Sequence, residues 1–372
     1  MTAGPLSGVR IVMMGGLGPG PFCGMVLGDL GADVVRVDRL DDVGRDVFVD
    51  RIVRRSQRSI AVDVKDERGA ELVRTLVAGA DAFVDVFRPG ALERLGLGPD
   101  DLLERNPRLV YARMTGYGQD GPLAAMAGHD INYLALTGAL HAIGPPEAPL
   151  PPLNLVGDYG GGGMLLAVGL LSGILEARGS GRGQVVDVAM VDGVATLMGV
   201  FQGLLAEGNW EDRRGANVLD GAAHYYRTYE TADGGHVAVG AMEPAFYAEL
   251  CRRLGVDVPQ GEGPDDWAAH AAVLAARFRT RTRAEWEAEL AHPQTCATPV
   301  LTLGEAPDHP HHRARGTFVT VDGVVQPAPA PRFSRTVPPT PGSPALPGAH
   351  TDAILSELGV DAAPLTEVVR QR

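Results

Sequence analysis

The first third of the chain alternates between strand-like and helix-like segments, and this alternation restricts the fold more than any other feature. Short apolar runs are separated by segments with helical periodicity. Strands joined through helices pair in parallel, because the connection must return the chain to the same end of the sheet. The predicted strands are residues 9–14, 33–38, 59–64, 81–87 and 109–114, with helices at 21–30 and 67–77. We therefore expect an α/β fold with a mostly parallel sheet covered by helices.

Helical patterning dominates the middle of the chain. Residues 129–143, 158–177 and 192–207 each predict one helix, and residues 185–190 predict a strand. The longest apolar run, residues 160–175, falls short of the roughly 20 residues that cross a bilayer, so it predicts a buried helix.

A change of pattern near residue 222 predicts a second domain. Residues 1–192 are expected to form a large domain, completed by about residues 330–372, and residues 193–221 a helical linker. A smaller α+β domain is expected over 222–315, where the Asp233-Gly234-Gly235 segment lies between two strand-like runs and indicates a hairpin. Residues 316–372 predict a Pro-rich return segment and a C-terminal helix at 351–358 that docks on the large domain.

Charge and cysteine usage exclude several function classes. The 372-residue chain has a formal net charge of −13, which argues against nucleic acid or an anionic membrane as its main partner. Cys23, Cys251 and Cys296 are far apart, so neither a disulfide framework nor a zinc knuckle is expected. The first residues lack a secretory signal pattern. We expect a cytoplasmic protein without membrane insertion.

A glycine-rich loop follows the first predicted strand but does not fit a dinucleotide site. Residues 15–21 read GGLGPGP, and Asp38 closes the next strand. In a G-x-G-x-x-G motif the third glycine would fall at Pro21 or at Cys23. This loop therefore predicts no nicotinamide or flavin cofactor, although its glycines permit close backbone approach at a helix N-terminus.

Cationic side chains are locally enriched in this acidic chain. They lie in one short segment or at the ends of predicted strands: Arg51, Arg54, Arg55 and Arg58, then Arg36, Arg39, Lys65 and Arg88. They form either a solvated charged face or a phosphate site, for which the bidentate guanidinium is suited. Arg39 and Arg88 both follow apolar strands, whose carboxyl ends share the edge where α/β proteins bind ligands.

Two segments place polar side chains at predicted helix starts. His129 and Asp130 open one helix and Asp158 opens another. Capping is the common role of such aspartates, whereas histidine is a poor cap, and the positive end of a helix disfavours its cationic form. A neutral His129 and Asp158 can flank one carbon atom from opposite faces, which suits proton exchange at an α-carbon. Removal of an α-proton from a thioester gives an enolate, which backbone N–H groups near Asp158 can stabilise.

Beyond these local features, the chain contains an ordered series of family motifs. The segments are GPLSGVR (4–10), GDLGADVVRVDR (28–39), RSIAVDVK (58–65), FRPG (87–90), GHDINY (128–133), PLNLVGDYGGG (152–162), TPV (298–300) and APRFSR (330–335). In this order they resemble the family III CoA-transferase superfamily, the CaiB/BaiF type, and within it the α-methylacyl-CoA racemases. The resemblance runs essentially from end to end.

The resemblance implies a fold and a binding mode. It implies a Rossmann-like large domain and a smaller α+β domain in an obligate, interlocked homodimer, with the active site between the large domain of one subunit and the small domain of the other. The substrate would be an acyl-CoA thioester. By the same resemblance, the groups that would bind it are Arg39 and Arg88 at the CoA phosphates, Val62 and Lys65 bordering the adenine, and Asp130 and Tyr133 along the pantetheine.

The resemblance also implies the chemistry. Asp130 matches the aspartate that, in the transferases, would act as the nucleophile and carry the acyl group. In the racemases a histidine precedes it, here His129, and the Asn-Leu-Val-Gly-Asp segment supplies Asp158. Glu243 matches a small-domain glutamate that would orient His129. We therefore expect racemisation of 2-methylacyl-CoA by 1,1-proton transfer, with His129 and Asp158 as the acid/base pair and no metal or redox cofactor.

Three alternatives remain beside this expectation. The first is a CoA-transferase with Asp130 as nucleophile, the second is another enolate-forming reaction on an acyl-CoA, and the third is a non-catalytic CoA-binding protein. Some positions also depart from the family pattern, since Met13 and Met14 replace a stretch that commonly contains glutamate and residues 21–24 replace small polar residues. Methionine fills cores and also lines adaptable pockets. The acyl group is therefore left open.

Overall fold

The computed structural model describes residues 4–45, 51–261 and 263–370, so the outermost ends of the predicted domains, residues 1–3 and 371–372, lie outside the described residues. The strands are β1 (Arg10–Met14), β2 (Asp33–Asp38), β3 (Gln57–Val62), β4 (Ala82–Asp85), β5 (Val110–Thr115), β6 (Gln184–Ala189), β7 (Tyr226–Glu230), β8 (His236–Gly240), β9 (Ala297–Pro299), β10 (Phe318–Val321), β11 (Val324–Pro327) and β12 (Val369–Arg370). The α-helices are α1 (Pro19–Asp29), α2 (Glu67–Ala78), α3 (Pro99–Arg105), α4 (Asp130–Leu136), α5 (Ala139–Ala142), α6 (Leu165–Ser180), α7 (Met190–Leu197), α8 (Gly199–Ala206), α9 (Pro244–Leu254), α10 (Trp267–Phe278), α11 (Arg283–Leu290), α12 (Pro310–Arg315) and α13 (Thr351–Leu358). A π-helix (Leu155–Met164) precedes α6.

The chain divides into two compact units. The large unit comprises residues 1–137, 153–197 and 315–372, and the small unit comprises residues 138–152 and 198–314. This division puts residues 138–152 with the small unit, whereas the sequence assigned them to the large domain. It also divides the predicted linker at residue 197.

The large unit is built on a parallel sheet. Among the described residues this sheet has seven strands in the order β12-β3-β2-β1-β4-β5-β6. Strands β1 to β6 pair in parallel, as predicted, and β12 adds an antiparallel edge through Val369, opposite Val62. The strand order reverses between β1 and β4. Ligands of open α/β sheets bind at the carboxyl ends of strands beside such a reversal.

Both faces of the sheet are covered at its centre, which explains why strands such as β1 and β4 are mostly apolar. On one face Val35 and Phe83 pack with Leu72 of α2. On the other face Ile11 packs in a cluster with Leu170 of α6. Because both faces are buried, the ends of the strands are the parts of the sheet that remain accessible to a ligand.

Three of the departures in the first strand and helix are core residues. Met13 and Met14 are 1% and 3% exposed, and Cys23 is 1% exposed. The core interpretation of the two methionines is therefore confirmed. Phe22 contacts Tyr159 of the π-helix, with ring centroids 4.7 Å apart.

Three predicted helices differ from the observed ones. The helix at 129–143 is divided into α4 and α5, because Gly138 has a φ of 82°. The helix at 192–207 is divided into α7 and α8 at Met198. The helix at 158–177 begins earlier, and its first part is the π-helix.

Together the π-helix and α6 form one apolar helical segment. By length and composition alone, this 26-residue segment, Leu155–Ser180, is long and apolar enough to cross a membrane, and half of its most apolar stretch is buried inside the protein. Leu166, Leu170 and Ile174 of α6 are core residues, as the prediction of a buried helix required. Val168 and Leu175 are exposed.

The small unit contains an antiparallel sheet in the order β7-β8-β9. The predicted hairpin is confirmed, since Tyr226 pairs with Gly240 and Glu230 with His236. Its core includes Phe278 and Trp286, both fully buried. In the return segment, the sequence did not predict the β10–β11 hairpin, which belongs to the large unit.

Candidate active site

The carboxyl edge of the parallel sheet displays the three cations predicted to contact the CoA moiety. Arg39 directly follows β2, and Lys65 and Arg88 lie three residues beyond β3 and β4. All three are exposed. Val62 differs, because its side chain is in the core and 2% exposed. Because the Val62 side chain is buried in the core, only the backbone at this position could border the adenine. That role stays a prediction.

The other cations of the predicted cluster have partners within the large unit. Arg36 contacts Asp38 at 2.9 Å, Arg55 contacts Asp29 at 2.7 Å, and Arg58 contacts Asp33 at 2.8 Å. Arg36 and Arg55 are also almost completely buried. These ion pairs make the three cations less available to a phosphate, whereas Arg39 and Arg88, the predicted phosphate ligands, are exposed. Sequence spacing did not show the partners of Arg55 and Arg58, because Asp29 lies at the end of α1 and Asp33 lies in the neighbouring strand β2.

Asp158 lies in the first turn of the π-helix, and a neighbouring amide orients its carboxylate. Asn154 Nδ2 donates to Asp158 Oδ2 at 3.1 Å. The loop before α1 comes close, since a Cβ added at Gly18 would lie 3.5 Å from Asp158 Oδ2. π-Helical turns are frequent at functional sites. The carboxylate is thus held at the sheet edge, next to the loop that follows β1.

Glycines allow the π-helix to approach its neighbours closely. A Cβ added at Gly161 would lie 2.8 Å from the backbone nitrogen of Val194 in α7, and one at Gly163 would lie 2.9 Å from the carbonyl oxygen of Pro19 in α1. Real Cβ atoms do not occur at such distances, so these positions require glycine. The glycine run of the sequence therefore fixes where Asp158 lies.

His129 lies immediately before α4 with an exposed side chain. Its backbone nitrogen donates to Asn132 Oδ1 at 3.0 Å, which closes the N-terminal turn of the helix. Asp130 follows and is 7% exposed. Its Oδ1 accepts a hydrogen bond from the backbone nitrogen of Asp158 at 2.7 Å. The structure thus joins the two helix starts that carry His129 and Asp158.

Asp130 and Tyr133 are both enclosed by the large unit. Burial raises the pKa of Asp130, although backbone hydrogen bonds from Asp158 and Gly157 oppose the effect. Tyr133 is 5% exposed, and its hydroxyl donates to the carbonyl oxygen of Gly128 at 2.6 Å. Burial raises the pKa of Tyr133 to about 12. Their contact with pantetheine stays a prediction.

Glu243 belongs to the small unit, where it is exposed at the start of α9. Its carbonyl oxygen accepts from the backbone nitrogens of Phe246 and Tyr247 at 3.0 Å. Burial raises the pKa of Cys296, and the nearby carboxylate of Glu243 acts in the same direction. Its role in orienting His129 stays a prediction.

The small unit also contains a cavity of about 980 Å³, lined by residues that include Arg227, Trp267 and Cys296. None of the predicted site residues lines it.

Sequence reasoning assigned no individual role to Asn154. The signal was present, because an amide four residues before a carboxylate shares its face on a helix and can donate to it. The sequence placed the helix start at Asp158, and this placement left Asn154 outside the helix.

An open parallel sheet with cations at its carboxyl edge, and with an imidazole and a carboxylate at two linked helix starts, defines an α/β protein equipped for ligand binding and proton transfer. Residues 6–351 match the model of CoA-transferase family III. The chain is 46% identical to the mouse α-methylacyl-CoA racemase and 44% identical to the human one, over 95% of this chain and 93% of each relative. A CaiB/BaiF family protein from Brucella suis has a similar structure, with a TM-score of 0.83, 28% identity, and coverage of 96% of this chain and 100% of that one. The chain belongs to CoA-transferase family III.

Proposed function

We propose that this protein is an isomerase that interconverts the enantiomers of 2-methylacyl-CoA thioesters through an enolate. The observation that carries the proposal is the link between the two helix starts, in which Asp130 binds the backbone of Asp158 and directly follows His129. The high identity to two α-methylacyl-CoA racemases over nearly the whole chain supports the same activity.

In this mechanism His129 removes the α-proton of one enantiomer, and Asp158, in its protonated form, donates a proton to the opposite face of the enolate. For the other enantiomer Asp158 removes the proton and the protonated His129 donates one. Glu243 orients the imidazole. The N–H groups of Gly157 and Asp158 bond to Asp130, so other backbone N–H groups near Asp158 stabilise the enolate oxygen, because preorganised donors act where the charge develops. The thioester needs no metal or redox cofactor for this exchange, and CoA is part of the substrate.

The CoA moiety provides binding energy away from the reacting carbon. Arg39 and Arg88 bind its phosphates, Lys65 and the backbone at Val62 border the adenine, and Asp130 and Tyr133 lie along the pantetheine. The exposure of Arg39, Lys65 and Arg88 at one edge of the sheet supports this assignment.

We also propose a homodimer with the active site shared between subunits. The exposed apolar side chains of α6 support it, since Val168 and Leu175 are 57% and 75% exposed. A Leu175→Glu variant that remains dimeric in light scattering would exclude this face from the interface.

Turnover of single enantiomers tests the proposed function. Purified protein is incubated with the R or the S form of a 2-methylacyl-CoA, the thioester is hydrolysed, and the acids are separated on a chiral column. The expected result is the same enantiomer ratio from both starting forms. Transfer of CoA to an added carboxylic acid, without interconversion, would instead support a transferase with Asp130 as nucleophile.

A further inference from the structure

The carboxylate of Asp130 is hydrogen-bonded to the backbone of the π-helix. It is 7% exposed, and its Oδ1 accepts the N–H of Asp158 at 2.7 Å. The backbone hydrogen bond from Gly157 also stabilises its charged form. Two N–H groups at the start of one helix therefore point at a carboxylate from the start of another. Such charge-assisted bonds are stronger than those between neutral groups.

The Asp130 carboxylate packs so closely against Gly157 that this position has no space for a side chain. A Cβ added at Gly157 would lie 2.3 Å from Asp130 Oδ1 and 3.2 Å from Leu134 Cδ1. The first distance is far below any real contact of a Cβ, so a side chain at Gly157 would displace Asp130. The bond between the two helices thus requires both residues.

We propose that Asp130 is a positioning residue that sets the placement of Asp158 relative to His129. The inference rests on the proposed function and specifies how its acid/base pair is assembled. His129 and Asp130 are consecutive, so one rigid helix start carries the imidazole and also binds the backbone of the carboxylate. In this account Asp130 neither attacks the thioester nor binds substrate as its main role.

Two variants of Asp130 separate these roles. Asp130→Asn keeps an oxygen that can accept the N–H of Asp158, whereas Asp130→Ala removes it. We expect Asp130→Ala to lower kcat by about tenfold or more, with KM changed less than about threefold, because a hydrogen bond to a charged group is lost. Asp130→Asn should recover kcat to within about threefold of the parent. Asp101→Ala is the control, since it removes a carboxylate that accepts the N–H of Gly98 at 3.2 Å at the start of α3.

Amide hydrogen exchange supplies a readout that does not depend on racemase activity. Mass spectrometry should show faster exchange of residues 155–164 in Asp130→Ala, and parent-like exchange in Asp130→Asn and Asp101→Ala. If the parent does not racemise any thioester but this pattern appears, the proposed function fails and the positioning role remains. If kcat falls equally in both Asp130 variants with unchanged exchange, the role is chemical and the inference is wrong.

The Gly157→Ala substitution tests the matched pair directly. Its methyl group collides with Asp130 in the parent, whereas in the Asp130→Ala background the contact that remains is the milder one with Leu134 Cδ1 at 3.2 Å. We expect a smaller fold loss of kcat in that background than in the parent, because residues in contact are not additive. Equal losses in both backgrounds, or a raised KM with unchanged kcat in Asp130→Ala, would overturn the proposal.

Discussion

Because His224 is buried, we expect the stability of the small unit to fall at acidic pH. Its side chain is fully buried against the rings of Tyr225, Tyr247 and His270. Burial lowers the pKa of His224 from 6.5 to about 4, and the neighbouring His270 acts in the same direction. The unfolded chain therefore binds a proton that the folded chain excludes, so this histidine makes stability fall as the pH drops below 6.5.

The magnitude follows from the two pKa values. Between pH 7 and pH 5 the unfolded histidine becomes protonated while the folded one stays mostly neutral, which costs about 2 kcal/mol of unfolding free energy. His224→Phe keeps a ring at this position and cannot be protonated. The difference in unfolding free energy between pH 7 and pH 5 should therefore be about 2 kcal/mol smaller in the variant than in the parent.

Tryptophan fluorescence is the suitable assay, because Trp210, Trp267 and Trp286 are the three tryptophans of the chain and all belong to the small unit. Urea unfolding of parent and variant at both pH values gives the comparison, and groups common to both proteins cancel. An identical pH dependence in the two proteins would refute the reasoning, because His224 would then titrate alike in the folded and unfolded states.

Three further substitutions have direct outcomes. Arg88→Ala should raise KM for CoA thioesters with little change in kcat, and an unchanged KM in steady-state assays would remove Arg88 from the CoA site. Asn154→Ala should lower kcat by about tenfold, because Asp158 loses the amide at 3.1 Å that orients it, and parent-like turnover would contradict this role. Arg55→Met should lower the unfolding free energy by about 3 kcal/mol or more, since it leaves Asp29 buried without its cation, and circular dichroism in urea measures the loss. A loss below 1 kcal/mol would contradict that estimate.

The sheet was predictable because its signal is local. Strands buried on both faces are continuous apolar runs, so β1 to β5 could be read from residue order alone. The antiparallel edge strand β12 could not, since two residues carry almost no pattern and pairing with β3 depends on the chain's return. The break at Gly138 was equally hidden, because glycine within a helical pattern does not reveal its φ.

The site divides in the same way. His129 and Asp158 were found from their positions at helix starts and from the family motif. The hydrogen bond from the Asp158 N–H to the Asp130 carboxylate could not be predicted from the sequence, because the two residues belong to different helices. The arginine cluster shows the same limit, since no acidic residue lies between Arg51 and Arg58 in the sequence, yet Arg55 is paired with Asp29 in the fold.

Exchange of the α-proton in deuterium oxide tests the two-base mechanism most directly. Proton NMR follows a single-enantiomer 2-methylacyl-CoA with the parent, His129→Gln and Asp158→Asn. The parent should form the opposite enantiomer carrying deuterium. Each variant should stop racemisation yet exchange the α-proton of one enantiomer, a different one for each variant. No exchange by the parent, or continued racemisation by either variant, would contradict the assignment of His129 and Asp158 as the acid/base pair.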